Sequence, residues 1–160
     1  MRAGDQHFSR TSLDEFVTGV ETQLRQALVA TYGPVDGREA AVDALSWAWE
    51  HWDQVRAMQN PASYLYRVGQ SAVRRFASRH LSETALTHRA VELPDIHPEL
   101  LIALGRLSDQ QRAVVVLVRA FGWRQTEVAD ILGVSPSTIH AQLDRALERL
   151  RALMEVSDAC

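Results

Sequence analysis

The sequence predicts an all-α fold made of two small helical domains and a short linker. Apolar residues recur every three or four positions over most of the chain, which is the period of an amphipathic helix. Capping signals mark helix starts at Ser12, Asn60 and Ser108. The chain has 160 residues, of which 46% are apolar, so it can hold one domain or two small ones.

The first helix is predicted to begin at Ser12. Ser12 and Glu15 form a capping box, and apolar residues follow at every fourth position. This stripe consists of Phe16, Val20, Leu24 and Leu28. The Tyr-Gly-Pro segment at residues 32–34 ends the helix, and Asp36-Gly37 predicts a turn.

Two more helices are predicted before residue 80. The second runs from about Arg38 to about Val55, and the third begins at Pro61, behind the N-cap Asn60, and ends near Arg79. The inward residues of the second are Ala41, Leu45, Ala48, Trp49 and Trp52, and those of the third are Leu65, Val68, Ala72 and Phe76. The opposite face of the third carries Arg67, Gln70, Ser71, Arg74 and Ser78.

The linker is predicted over residues 81–98, where apolar periodicity fades and Pro94 and Pro98 appear. The two domains are therefore expected at residues 1–80 and 99–160. In the second, Ser108 and Gln111 form another capping box. Residues 113–118 have strand-forming side chains, but the cap in front of them favours a helix.

Charge is distributed unevenly along the chain. The net charge is -3, and there is no lysine, so all 17 basic residues are arginine. Residues 61–82 hold four arginines and no acid, whereas residues 11–60 hold eight acids and three arginines. This asymmetry indicates a surface for a polyanion and a separate acidic surface, although a solvated helix face is the more ordinary origin of any single patch.

Several classes of protein are not expected. No apolar run is long enough for a membrane span, and the N-terminus lacks a signal-peptide core, which favours a cytoplasmic protein. The lone cysteine, Cys160, and six scattered histidines provide neither a disulfide framework nor metal-ligand spacing. Without a phosphate loop or a catalytic constellation, we expect no enzyme, no catalytic residue, no metal and no cofactor.

Residues 125–144 fit a helix-turn-helix. Its first helix would bury Val128, Ala129 and Leu132, and Gly133 would end that helix with a positive φ. Val134 closes the turn, Ser135 is a suitable N-cap, and Pro136 suits the first helical position. Ile139 and Leu143 then anchor the second helix inward. An ordinary helical hairpin without a ligand is the alternative interpretation.

In a DNA-binding helix-turn-helix, the second helix enters the major groove. Its outward residues are predicted to be Ser137, Thr138, His140, Ala141 and Gln142. Gln142 could pair with adenine, and Thr138 or Ala141 could contact a thymine methyl. Arg145 and Arg149 lie further along and suit phosphate.

These segments together resemble the extracytoplasmic-function (group IV) sigma factors of the sigma-70 family. The segment from about Glu99 to Met154, with Leu107–Arg112, the helix-turn-helix and Leu143–Ala146, is similar to their region four. The segments Asp43–Leu45, Ala48–Trp52 and Asn60–Val68 are similar to their region two. The resemblance covers nearly the whole chain, and the order of the two parts also agrees.

The resemblance implies a mechanism and partners. Region two would bind the clamp helices of the β′ subunit of core RNA polymerase, here through Asp43, Trp47 and Glu50, and capture the minus-ten box as single strand. The minus-ten residues would be Arg67, Gln70, Ser71, Arg74 and Arg75, with a base pocket in the loop from Asp53 to Asn60. Region four would read the minus-thirty-five box as duplex and contact the β flap. An anti-sigma factor is a possible further partner.

The chain departs from the commoner family residues at several positions. Ser71 stands where asparagine is usual, Gln70 and Arg75 also differ, and residues 140–142 replace a stretch that is often basic. Arg124 stands where a serine-like cap is usual. These departures affect the expected promoter sequence rather than the fold.

Three aromatic residues leave two interpretations open. Trp47 lies off the apolar stripe of its helix, so it could anchor a partner, although burial is more common for tryptophan. Tyr64 and Tyr66 could stack on bases or pack in the core.

For the whole chain, the alternative function is a stand-alone helix-turn-helix regulator that binds duplex DNA as a dimer.

Overall fold

The computed structural model describes residues 3–80 and 98–158, with side chains described over residues 13–76 and 98–156. The N-terminal bundle consists of α1 (Ala3–Tyr32), α2 (Pro34–Glu50), α3 (Trp52–Val55) and α4 (Pro61–His80). The C-terminal bundle consists of α5 (Pro98–Gly105), α6 (Asp109–Val115), α7 (Gln125–Leu132) and α8 (Pro136–Asp158). The described residues contain no strand, so the all-α prediction is confirmed. The predicted linker at residues 81–98 lies outside them except for Pro98.

The N-terminal bundle packs α1, α2 and α4 around a common core. The apolar stripe predicted for α1 is confirmed, because Val20, Leu24 and Leu28 are buried and Phe16 packs against the same cluster. Leu65 from α4 is fully buried beside them. Close approach of α1 to α2 requires a glycine, since a β-carbon on Gly37 would lie 2.5 Å from the Val29 Cα.

Three predictions about this bundle are wrong. Helix α1 begins at Ala3 instead of after an N-cap at Ser12, since residues 3–11 contain no proline to interrupt its hydrogen bonds. Asp36-Gly37 is not a turn, because Gly33 (φ 91) makes the turn and Pro34 already begins α2. The predicted second helix is divided at His51 (φ -120), which separates α2 from α3.

The inward face of α2 also differs from the prediction. Its buried residues are small (Gly37, Ala40, Ala41, Ala44 and Ala48). Trp49, predicted inward, is 55% exposed. Small side chains allow α1 and α4 to approach the α2 backbone, and the resulting packing leaves no space for an indole. Trp52 is half-buried, with its ring 5.3 Å from that of Phe16.

The C-terminal bundle packs α5, α6 and α7 against α8. The capping box that begins α6 is confirmed: the Gln111 N–H donates to Ser108 Oγ (3.2 Å), and the Ser108 N–H donates to Gln111 Oε1 (3.4 Å). Residues 113–118 are helical, as the cap predicted, but the helix continues as a π-helical turn at Val116–Ala120. Gly122, at φ 70, follows this turn.

The two bundles share one continuous apolar core. The buried cluster runs from Val20 on α1 to Leu150 on α8, with α1 packed against α6 and α4 against α7. Arg112 crosses the boundary, donating through Nη1 to the Thr31 carbonyl (2.8 Å) and through Nε to the Leu104 carbonyl (2.8 Å). These carbonyls belong to the last turns of α1 and α5, where helical partners are lacking. No helix in the described parts of the chain has both the length and the apolarity needed to cross a bilayer.

Candidate nucleic-acid interface

Residues 125–144 form the predicted helix-turn-helix. Gly133 ends α7 in the left-handed conformation (φ 69, ψ 35), and the Val134 N–H donates to the Ala129 carbonyl (3.1 Å). The Thr138 N–H donates to Ser135 Oγ (3.2 Å), which confirms the predicted N-cap, and α8 begins at Pro136. The turn therefore has the chemistry expected from its sequence.

Packing within the motif follows the prediction with one difference. Val128, Ala129, Ile139 and Leu143 are buried, as expected. Leu132 is only partly buried, whereas Ile131, which the prediction omitted, is 1% exposed. Helix α7 packs against α4 as well as α8, so more of its surface is buried than a two-helix motif alone requires.

Residues of the recognition helix α8 differ in exposure. Ser137, His140, Arg145 and Arg149 are exposed, whereas Thr138, Ala141 and Gln142 are half-buried. His140 Nε2 lies 3.5 Å from Asp144 Oδ2, so an acid is also present on this surface. The Thr138 hydroxyl lies 2.8 Å from that of Ser135. The most exposed residues near the start of the helix are thus hydroxyl-bearing and imidazole side chains.

Helix α4 presents the predicted arginine face. Arg67, Ser71, Arg74 and Arg75 are exposed along one side of the helix. Gln70 is half-buried beside Tyr32 of α1, and its side-chain amide lowers the pKa of that phenol. Burial raises the pKa of Tyr32, and the nearby Asp109 carboxylate raises it further. Gln70 is therefore less exposed than the arginines of this face.

The start of α4 lies directly against the turn of the helix-turn-helix. Asn60 caps α4, since its Oδ1 accepts from the Ser63 N–H (3.1 Å), and its Nδ2 donates to the Asp130 carbonyl (2.8 Å). A β-carbon on Gly133 would lie 2.9 Å from both Arg67 Nη2 and Ser63 Oγ. The structure thus brings two predicted DNA-binding segments together, which the sequence alone did not indicate.

The three residues predicted to bind polymerase lie on α2 in different environments. Glu50 is exposed and Asp43 is half-buried. Trp47 is half-buried, with its ring stacked on His51 (centroids 4.3 Å apart) and 5.2 Å from that of Tyr64. The most exposed indole of this helix belongs to Trp49. The alanines of α2 recur at helical spacing and form its buried face, and this pattern in the sequence could have indicated that Trp49 faces outward.

The two tyrosines of α4 have opposite environments. Tyr64 is 39% exposed, whereas Tyr66 is buried with its hydroxyl 2.7 Å from that of Thr31. Burial strongly raises the pKa of Tyr66, although the Thr31 hydrogen bond opposes this shift. Of the two, only Tyr64 has ring surface available for stacking.

The chain is similar to known sigma factors in sequence and fold. Residues 98–150 match the family model for region 4 of sigma-70. The RNA polymerase sigma-E factor of Streptomyces antibioticus is 30% identical over 137 residues, which cover 78% of this chain and 74% of that protein. The sigma-E factor of Streptomyces avermitilis is 29% identical, and the match covers 95% of this chain and 90% of the relative.

Two solved structures share the fold. The sigma factor RpoE from Bartonella quintana, crystallised with the anti-sigma factor NepR, gives a TM-score of 0.59 at 21% identity and covers 91% of this chain and 98% of its own. CnrH, in complex with the cytosolic domain of CnrY, gives a TM-score of 0.56 at 22% identity, and the match covers 92% of this chain and 90% of CnrH. The helix-turn-helix, the arrangement of the helices and these similarities together show that the chain belongs to the extracytoplasmic-function group of the sigma-70 family, whose members are transcription initiation factors.

Proposed function

We propose that this chain binds core RNA polymerase and directs it to specific promoters, using α8 for the minus-thirty-five box and α4 for the minus-ten box. The observation that carries the proposal is the presence, in one chain of this family, of a well-formed helix-turn-helix and a separate arginine face. A stand-alone regulator would need only the first of these surfaces.

The upstream box would be read by the first turns of α8. Ser137 and His140 are exposed where a recognition helix meets base edges, and Thr138, Ala141 and Gln142 lie beside them. Arg145 and Arg149, one and two turns further on, are exposed and suit the phosphates that flank the groove. Asp144 would accept from a cytosine amino group more readily than it would lie against phosphate.

The downstream box would be held as a single strand along α4. Arg67, Ser71, Arg74 and Arg75 are exposed on a helix that itself contains no acid, which favours a phosphate backbone. Gln70 lies beside this set but is half-buried, so it would offer less surface to DNA than the arginines do. A shallow depression lined by residues 49–54 overlaps the start of the loop from Asp53 to Asn60, in which we expect the base pocket.

Core polymerase would bind the acidic outer face of α2. Asp43 and Glu50 supply charge there, and a shallow depression beside Asp43 is lined by Arg38, Glu39, Val42 and Phe76. Trp47 is half-buried and stacked on His51, so it would offer polymerase only the part of its ring that stays exposed. Residues 1–80 would thus form the polymerase and minus-ten domain, and residues 99–160 the minus-thirty-five domain that contacts the β flap, with residues 81–98 as linker.

An anti-sigma factor is a further proposed partner. Both structural neighbours were solved in complex with a protein partner, NepR for RpoE and the cytosolic domain of CnrY for CnrH. The shared fold therefore supports a protein regulator for this chain, without indicating which one.

Gel filtration of the purified chain with bacterial core RNA polymerase tests the proposal. We expect co-elution as a one-to-one complex, followed by promoter-dependent transcription from that complex. A folded chain, free of any bound regulator, that fails to co-elute would contradict the proposal. Dimeric binding to a palindromic duplex in the absence of polymerase would instead support the stand-alone regulator.

A further inference from the structure

The recognition helix α8 carries an acid on the face that the proposed function assigns to DNA. Ser137, His140 and Asp144 are all exposed and follow one another at spacings of three and four residues, so they lie along one side of the helix. A carboxylate on a surface that approaches DNA is repelled by the phosphates, because like charges repel. Asp144 therefore weakens the general attraction of this face to DNA, and phosphate binding cannot be its role.

The Asp144 carboxylate is paired with an imidazole. His140 Nε2 lies 3.5 Å from Asp144 Oδ2, and both side chains are exposed. The stability of the helix gains little from an exposed pair one turn apart. The opposite side of α8 is anchored in the core by Ile139 and Leu143, so both head groups are held on the outward side, where a ligand can reach them.

The two head groups present complementary hydrogen-bonding groups side by side. Imidazole has an N–H donor in each of its protonation states, and an ionised carboxylate only accepts. In the major groove, a G·C pair offers an acceptor at guanine O6 beside a donor at cytosine N4. These two atoms share a Watson–Crick hydrogen bond, so they are about 2.9 Å apart. The 3.5 Å between His140 and Asp144 is therefore suited to one base pair.

An A·T pair fits the same two groups less well. Adenine N6 lies between two acceptors, its own N7 and thymine O4, so a carboxylate that binds N6 also faces two atoms of negative partial charge. Cytosine N4 has such a neighbour on one side only, at guanine O6, where His140 can donate. The chemistry therefore favours a G·C pair with guanine beside His140 and cytosine beside Asp144.

We propose that His140 and Asp144 act as one unit that reads a single G·C pair of the upstream box, with His140 donating to guanine and Asp144 accepting from cytosine N4. The inference rests on the proposed function and deepens it, since it assigns one base pair to two named side chains. Asp144 is the main determinant of specificity, because its charge disfavours every pair that lacks a well-placed amino group.

Selection from a DNA library with the upstream box randomised tests the assignment. The wild-type chain in complex with core RNA polymerase is compared with His140→Ala, Asp144→Asn and the double variant. We expect one G·C position in the sequences that the wild type selects, and a loss of preference of about fivefold or more at that position in each single variant. The double variant should lose little more than either single variant, because two groups that read one pair are not additive.

Glu148→Gln is the matched control, since it removes an exposed acid about one turn beyond Asp144. Both acid-to-amide variants remove one negative charge, so both should raise the affinity for DNA of any sequence. Only Asp144→Asn should also lose the G·C preference. Equal effects of the two variants on base preference, or selected sequences in which no G·C position responds to both His140 and Asp144, would overturn the proposal.

The outcomes also separate this inference from the proposed function. A wild-type chain that does not bind core polymerase, or a complex that selects no upstream sequence, refutes the proposed function and the base-pair assignment together. A clear upstream preference that Asp144→Asn leaves unchanged refutes the assignment alone. Because both side chains are exposed, the circular dichroism spectra of the variants should match that of the wild type.

Discussion

Individual small residues set the distances between helices in the N-terminal bundle. Gly37 lies inside α2 at its crossing with α1, where a β-carbon would overlap the Val29 backbone. Gly69 plays a similar part on α4, where a β-carbon would lie 2.7 Å from Leu28 Cδ1. Backbone atoms yield less readily than the end of a leucine side chain, so Gly37 is the more restrictive position.

Gly37→Ala should destabilise the protein by about 1–3 kcal/mol, because overpacking against Val29 exceeds the gain in helix propensity. Urea denaturation measures the change. Gly19→Ala on α1 is the matched control, since a β-carbon there would meet no atom within 4 Å, and it should stabilise by roughly 0.5–1 kcal/mol. Equal stabilisation by both substitutions would contradict the close approach of α1 and α2.

At the scale of the element, α4 and α8 combine structural and proposed DNA-binding roles. One face of α4 buries Leu65 and Tyr66 in the core, while Arg67 and Arg74 are exposed on the other. In α8, Ile139 and Leu143 anchor the helix, and His140 is exposed between them. Because the buried and exposed residues alternate along each helix, exposed side chains can be replaced with little effect on folding.

Replacing Arg67 and Arg74 together with alanine should weaken promoter opening and reduce its salt dependence. The slope of log K against log salt is negative, and each lost contact to a single-stranded phosphate should make it less negative by about 0.7. Opening assays across a salt series provide the measurement. Arg25→Ala, which removes an exposed arginine of α1 paired with Glu21, should leave the slope unchanged. An unaltered slope in the double variant would argue against a phosphate-binding α4.

Gln142→Ala should change the base preference in the upstream box while leaving polymerase binding intact. An amide that pairs with adenine contributes about 1–3 kcal/mol of discrimination, which a set of promoters varied in that box can measure. Arg151→Ala, further along α8 and exposed, serves as the control and should keep the wild-type preference. A parallel loss of polymerase binding in Gln142→Ala would refute the separation of these roles.

At the scale of the whole molecule, the two bundles are joined by polar contacts around a shared apolar core. Arg112 is the central member, since it donates to carbonyls at the ends of α1 and α5 and to the Leu107 carbonyl (2.9 Å). Its position on α6 allows one side chain to connect both bundles. Global stability and interbundle contact are therefore coupled.

Arg112→Lys should destabilise the free chain by about 2–4 kcal/mol, since an ammonium cannot satisfy carbonyls in several directions as a guanidinium does. We also expect unfolding to become less cooperative, with circular dichroism and tryptophan fluorescence giving different midpoints. Arg106→Lys, at an exposed position just after α5, should keep the midpoints coincident. Coincident midpoints in Arg112→Lys would show that the bundles unfold together without this contact.

The sequence by itself determined the helical fold class, the starts of α4, α6 and α8, and the helix-turn-helix. These features depend on local chemistry: an N-cap at Asn60, a capping box at Ser108, and a glycine with positive φ at position 133. It also located an arginine face on α4, since charge and helical period are both visible in the residue order. The proposed roles of these residues toward DNA stay predictions.

Only the tertiary structure decided which faces are free and which are covered. Trp49 is exposed, although helical periodicity predicted it to face inward, because alanines form the buried face of α2. Tyr66, for which two interpretations were open, is buried with its hydroxyl beside that of Thr31. The contacts Asn60–Asp130, Gln26–Trp123 and Thr31–Arg112 join residues 70 to 97 positions apart. No local pattern encodes such pairs, because they depend on how whole helices pack together.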